Sequence, residues 1–170
     1  MKGRSKGLTL AFLIITTILC SSLPVLAATT IIYNGGSGWS QSGSEWHSQS
    51  TGRDGQPLGY SPPMVWTWNN SSSASEGGSW SISNASGGCY IYAYIPRNYA
   101  DVNQRYYIWD NNTIIASSLV NQASYADQWV NLGYYSIVPS HTVRVQFDDF
   151  TPGVSSNTRY VGFDEMRFVF

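Results

Sequence analysis

Gly88-Cys89-Tyr90-Ile91-Tyr92-Ala93-Tyr94-Ile95-Pro96 decides the fold of this chain. Tyr90, Tyr92 and Tyr94 fall on one side of an extended backbone, and Ile91, Ala93 and Ile95 on the other. Both sides are apolar, so the period of two marks a strand in the middle of a sheet. Pro96 has no N–H to give a ladder and ends it.

The same reading extends downstream. Residues 105–109 and 113–120 form a hairpin around Asp110-Asn111-Asn112, whose side chains tolerate turn geometry. Residues 129–137 make another strand, with Gly133 a candidate bulge. Val143, Val145 and Phe147 alternate with Arg144, Gln146 and Asp148, a half-exposed strand. Residues 160–170 form the last, with Asp164, Met166, Phe168 and Phe170 on one face. Residues 97–104 and 121–128 are polar connections with room for a helical turn. Seven to nine short strands joined by polar loops predict an all-β fold, an antiparallel β-sandwich of jelly-roll type.

Upstream, residues 34–88 are rich in Gly, Ser and Asn but carry Trp39, Trp46, Tyr60, Trp66, Trp68 and Trp80. Disordered linkers lack aromatics, so this zone reads as loops and short strands of the same body. The N-terminus reads as a secretion signal: Lys2, Arg4 and Lys6, then an uncharged apolar run over 8–19, then Val25-Leu26-Ala27. The run is short for a membrane span. The expected organisation is a signal peptide over 1–27, cut after Ala27, and one domain over 28–170. That implies a secreted protein with no membrane partner after cleavage. The signal holds three of the nine basic residues and none of the ten acids, so the remainder is acidic, and its bases are all Arg. Such a balance argues against nucleic acid as a partner. Cys20 follows Leu19, where a lipid-attachment motif wants a small residue, and reads as part of the signal. Cys89 then has no intramolecular partner and reads as a buried, inert thiol.

Four motifs, in order, resemble the golvesin / xanthan-lyase carbohydrate-binding-like domain family. The strand 88–96 resembles its G-x-Y-x-V-x-x-x-x-P segment. Val120-Asn121-Gln122 with Trp129-Val130-Asn131-Leu132-Gly133-Tyr134-Tyr135 resembles its V-N-Q … W-x-x-L-G-x-Y segment. Val161-Gly162-Phe163-Asp164-Glu165-Met166-Arg167-Phe168 is similar to its closing D-A-V-R-F strand. Asn34-Gly35-Gly36-Ser37-Gly38-Trp39-Ser40 and Trp46-His47 resemble its opening G-x-x-F/W-S … W pattern. Glu165 stands where that pattern has Ala, and Tyr92 where it has Val. The resemblance implies a β-sandwich accessory module with presumed polysaccharide binding and no catalytic activity.

The residues themselves offer three chemistries. His47 and His141 lack a nucleophile elbow and read as loop or surface residues. Zinc spacing is absent, and with no EF-hand repeat a structural calcium held by Asp148-Asp149 or Asp164-Glu165 is the one cofactor left open. The same acids would be the pair for a small polysaccharide-active enzyme. The aromatics carry the main expectation, because a sugar offers its C–H face to a ring and its hydroxyls to polar neighbours. The ligand-binding set is Trp39, Trp46, Tyr60, Trp66 and Trp68, with Arg53 and Asp54 beside them. Tyr90, Tyr92, Tyr94, Trp129 and Tyr135, on strands, are assigned to the core. The leading expectation is a non-catalytic polysaccharide-binding module. A structural or adhesive protein acting through protein–protein contact is the alternative.

Overall fold

The computed structural model describes residues 27–49 and 64–170. The signal segment up to residue 26, and Arg53, Asp54 and Tyr60, lie outside the described residues. Ten strands follow one another: β1 (Thr29–Ile32), β2 (Trp39–Ser42), β3 (His47–Gln49), β4 (Met64–Trp68), β5 (Gly77–Ile95), β6 (Asn103–Asp110), β7 (Thr113–Asn121), β8 (Gln128–Asp148), β9 (Tyr160–Phe163) and β10 (Met166–Val169). The one helical turn among them is a 3-10 turn, Gln122–Ser124.

The strands build an all-β antiparallel sandwich. The larger sheet runs β1-β10-β5-β8-β6-β7, with β2 also on β5; the smaller runs β3-β4-β9. The stretch 89–95 is the C-terminal half of β5, a central strand as the alternation requires. It pairs with β10 on one side and β8 on the other. The strands read separately at 129–137 and 143–148 are one, β8, which follows β5 for nearly its whole length. Irregularities near Ala85 and opposite Gly133 let the two long strands bend together. At Gly133 (φ 138°) the backbone adopts a conformation that side chains rarely take, the expected bulge.

The final strand is not continuous. Residues 160–163 belong to the smaller sheet and 166–169 to the larger, so the chain changes sheets at Asp164-Glu165. Between the sheets, Phe163 stacks on Phe147 at 4.1 Å between ring centroids, and Trp80 lies 5.5 Å beyond Phe147. Buried Gln122 ties the layers further: its Nε2 donates to Tyr106 Oη and to the Gly162 carbonyl, while its Oε1 accepts from Gly162 N–H. This is the Gln of the Val-Asn-Gln motif, and every hydrogen-bonding group of its amide is used on the core.

Candidate functional site

β4 opens on fully buried Met64, and beyond it the two faces of the strand divide. Val65 and Thr67 turn to the core; Trp66 and Trp68 stand on the outer face, both half-buried. His47, opposite Trp66 on β3, stacks on the indole at 4.2 Å and 17°. On the other flank lies β9, whose residue opposite Trp66 is Gly162. Ala100 and the Tyr99 carbonyl fill the space that this glycine leaves, and the Tyr99 ring stacks on Trp66 at 4.7 Å and 8°. Both faces of Trp66 are thus occupied. Trp68 meets Trp66 edge-on and tilts onto Tyr160 at 4.6 Å.

Trp68 also lines a cleft of about 500 Å³, together with Glu45, Asn69, Asn70, Glu76, Asp149 and Asn157. The walls are rigid for stated reasons. Asn69 is fully buried: its Nδ2 donates to Thr151 Oγ1 and the Ser155 carbonyl at 2.9 Å each, and its Oδ1 accepts from Thr158 and Arg159 N–H. It pins the loop 151–159 to the end of β4. Asn70 Oδ1 accepts from Ser72 N–H and Oγ, which shapes the exposed turn 71–75.

Glu76 and Asp149 form the acidic wall, 5 % and 1 % exposed. Asp149 Oδ1 accepts from Ser75 N–H at 2.8 Å and from Glu76 N–H at 3.2 Å. Glu76 Oε1 accepts from the backbone of Ser44 and Glu45. Ser75 Oγ reaches both carboxylates, Glu76 Oε2 and, at 2.6 Å, Asp149 Oδ2. Burial, with Glu76 alongside, pushes the Asp149 carboxyl above the usual carboxylate range. For Glu76, burial pushes up as well, but the bonds from Ser75, Glu45 and Asp149 outweigh it and hold the carboxyl low. The pair therefore keeps one proton to higher pH than an isolated carboxylate would.

The remaining expected residues lie elsewhere. Trp39 packs on Trp80 at 4.7 Å, Trp46 packs edge-on to Phe163 at 4.9 Å, and both rest against the core. Trp46 keeps its Nε1 on the Ser42 carbonyl. The four expected tryptophans described fall into two edge-on pairs, Trp39 with Trp46 against the core and Trp66 with Trp68 on the smaller sheet. Tyr99 and Tyr160 were not singled out from sequence; Tyr160 is revealed by its register with Trp68, and nothing in the sequence around Tyr99 marks it. His141, expected in a loop, lies within β8 opposite Ala85 and is held by Asp110, Nδ1 to Oδ1 at 2.6 Å. Arg159 pairs with Asp101, and Arg144 lies over Trp109. Among the described residues no group of three His, Cys, Asp or Glu is placed to hold a metal.

The strand aromatics divide differently from expectation. Tyr94 is buried and Tyr135 packs against the core, but Tyr90 is 45 % exposed on the outer face of the larger sheet, beside Tyr134 at 56 %. Tyr92 and Trp129 are half-buried there. The inward positions of β5 already suffice for the core, so the outward tyrosines need not be covered.

No family model matches the chain, and no curated protein matches it. Several solved structures resemble it. Xanthan lyase of Paenibacillus shares 19 % identity at a TM-score of 0.62, over 83 % of this chain and 13 % of that one. A family two carbohydrate esterase from Cellvibrio japonicus shares 8 % identity at a TM-score of 0.46, over 85 % and 34 %. The family 32 carbohydrate-binding module of C. perfringens NanJ, solved with galactose, shares 14 % identity at 0.37, over 76 % and 99 %. The chain spans about an eighth of the xanthan lyase's length, and at this identity the likeness is one of fold.

Proposed function

We propose that the protein is a secreted, non-catalytic module that binds polysaccharide, of the golvesin / xanthan-lyase carbohydrate-binding-like kind. The observation that carries this is Trp68 at the cleft lined by Asn69, Asn70, Glu45, Glu76, Asp149 and Asn157. An indole offers an apolar face to a sugar ring, and exposed Glu45 and Asn157, with half-buried Asn70, offer polar groups to the ring's hydroxyls. Trp66, braced between His47 and Tyr99, holds Trp68 in place. The fold shared with part of xanthan lyase supports the same reading. Glu76 and Asp149 support binding rather than cleavage at this cleft: both are nearly buried and one serine hydroxyl bridges them, whereas glycosidase carboxylates flank the sugar about 5 Å or more apart.

The test is a panel of neutral polysaccharides in affinity gels. A retarded migration that Trp68→Ala weakens at least tenfold, with the circular dichroism spectrum unchanged, supports the proposal. Binding indifferent to Trp68→Ala, or release of reducing sugar from the bound polymer, overturns it.

A further inference from the structure

A second aromatic surface lies on the outer face of the larger sheet, away from the Trp68 cleft. β5 presents Tyr90 and Tyr92 there, β8 presents Trp129, Asn131 and Tyr134, and β10 presents Arg167. The register sets them side by side: Tyr90 opposite Tyr134, Tyr92 opposite Asn131, and Arg167 opposite Tyr92. The alternate residues Ile91, Ala93, Met166 and Phe168 are in the core, so this face has no other use for its rings.

Arg167 is the informative residue. Its guanidinium carbon lies 4.3 Å from the Tyr92 ring centroid and 4.5 Å from that of Trp129. The two rings hold it in one orientation. Its Nε is buried and has no hydrogen-bond partner. Among the described residues, the ion pairs are Arg97 with Asp127, His141 with Asp110 and Arg159 with Asp101. Arg167 joins none of them. A positive charge fixed in place and left without a counter-charge, beside two exposed tyrosines, is complementary to an anion carried on a ring-containing polymer.

We infer that this face binds an acidic polysaccharide, with Tyr90 and Tyr134 stacking on one sugar and Arg167 receiving the carboxylate of a neighbour. Tyr90 and Tyr92 are about 7 Å apart along the strand, a step comparable to one sugar residue. A nucleic acid would also stack on tyrosine, but it carries a charge at every unit and needs a stripe of cations, and beside these tyrosines there is one, Arg144 lying farther along β8 opposite Ser81. One cation among rings suits a chain whose charges are spaced out. The inference rests on the glycan-binding reading but assigns a different face and a charged ligand class.

Affinity electrophoresis in gels containing polygalacturonate, a linear uronate polymer, tests it, with a neutral β-glucan gel alongside. The expected result is retardation by polygalacturonate that fades with added salt. Arg167→Gln and Tyr134→Ala each weaken it at least tenfold, and Trp68→Ala leaves it unchanged. Tyr134 is exposed, so its variant folds even if Arg167→Gln does not. Gly88→Ala adds a milder probe, because its new methyl would meet the Tyr134 hydroxyl and displace that ring. No retardation by polygalacturonate overturns the inference, as does retardation that survives Tyr134→Ala or is lost in Trp68→Ala. In the first case, neutral-glucan binding lost in Trp68→Ala would leave the cleft standing and remove only this face.

Discussion

Asp149 and Glu76 titrate in different windows, and the sign of each can be worked out. The Asp149 carboxyl is raised by burial first and by Glu76 next. A raised acid binds its proton more tightly in the folded state, so folding gains as pH falls from neutrality toward about 4, the ordinary carboxylate value. Glu76 is held low, so its contribution is present above about 4 and is lost as pH drops below that. The melting temperature should therefore rise from pH 7 to about 5 and fall in stronger acid. Asp149→Asn fixes a neutral group that still accepts from Ser75 N–H, and it should flatten the rise. Asp148, also raised by burial, leaves a residual slope. Equal slopes for the wild type and Asp149→Asn, measured by thermal denaturation, would refute this account. At the same scale, sequence could mark Trp68 as a candidate but not its partners. Asn70 and Asp149 meet only because the backbones of β4 and the 149–151 segment bond to each other far apart in sequence.

At the scale of elements, alternation was enough to find β6 and β7 within a few residues, but only the C-terminal part of β5, whose Gly- and Ser-rich beginning at Gly77 shows no apolar period. It could not find the break inside 160–170, because Asp164 and Glu165 keep the apolar rhythm's spacing while the chain passes between sheets. Nor could it say which side of β5 is covered, since both sides are apolar and only the position of the second sheet decides. The same limit explains Trp39 and Trp46: in a Gly- and Ser-rich zone there is no period from which to read a buried side. Gly162 is an element-scale test. A Cβ there would lie 2.7 Å from the Ala100 Cβ and from the Tyr99 carbonyl oxygen. The obstacle includes backbone, so Gly162→Ala should cost about 1–3 kcal/mol in urea denaturation. It should also push Tyr99 off Trp66 and change the tryptophan fluorescence of the folded protein. An unchanged stability would mean that the 97–101 loop yields freely.

At the scale of the molecule, one core joins both sheets. Residues from Ile32 to Phe168 belong to a single buried cluster. Cys89 sits inside it, fully buried, and burial pushes its thiol up to about 11. The thiolate is the reactive form, so a disulfide reagent at pH 8 should react at a rate set by global unfolding. Its denaturant dependence should match that of the loss of tertiary signal. Fast labelling of the native protein would show that the β5–β10 region opens on its own.

The change of sheets at Asp164-Glu165 carries a further consequence for the order of events in the cell. β9 completes the smaller sheet and β10 joins β1 to β5, so the smaller layer closes only after residue 163 is made and the larger only after residue 169. Until β10 is added, β1 has no neighbour in the larger sheet and the C-terminal part of β5 is paired on one side only.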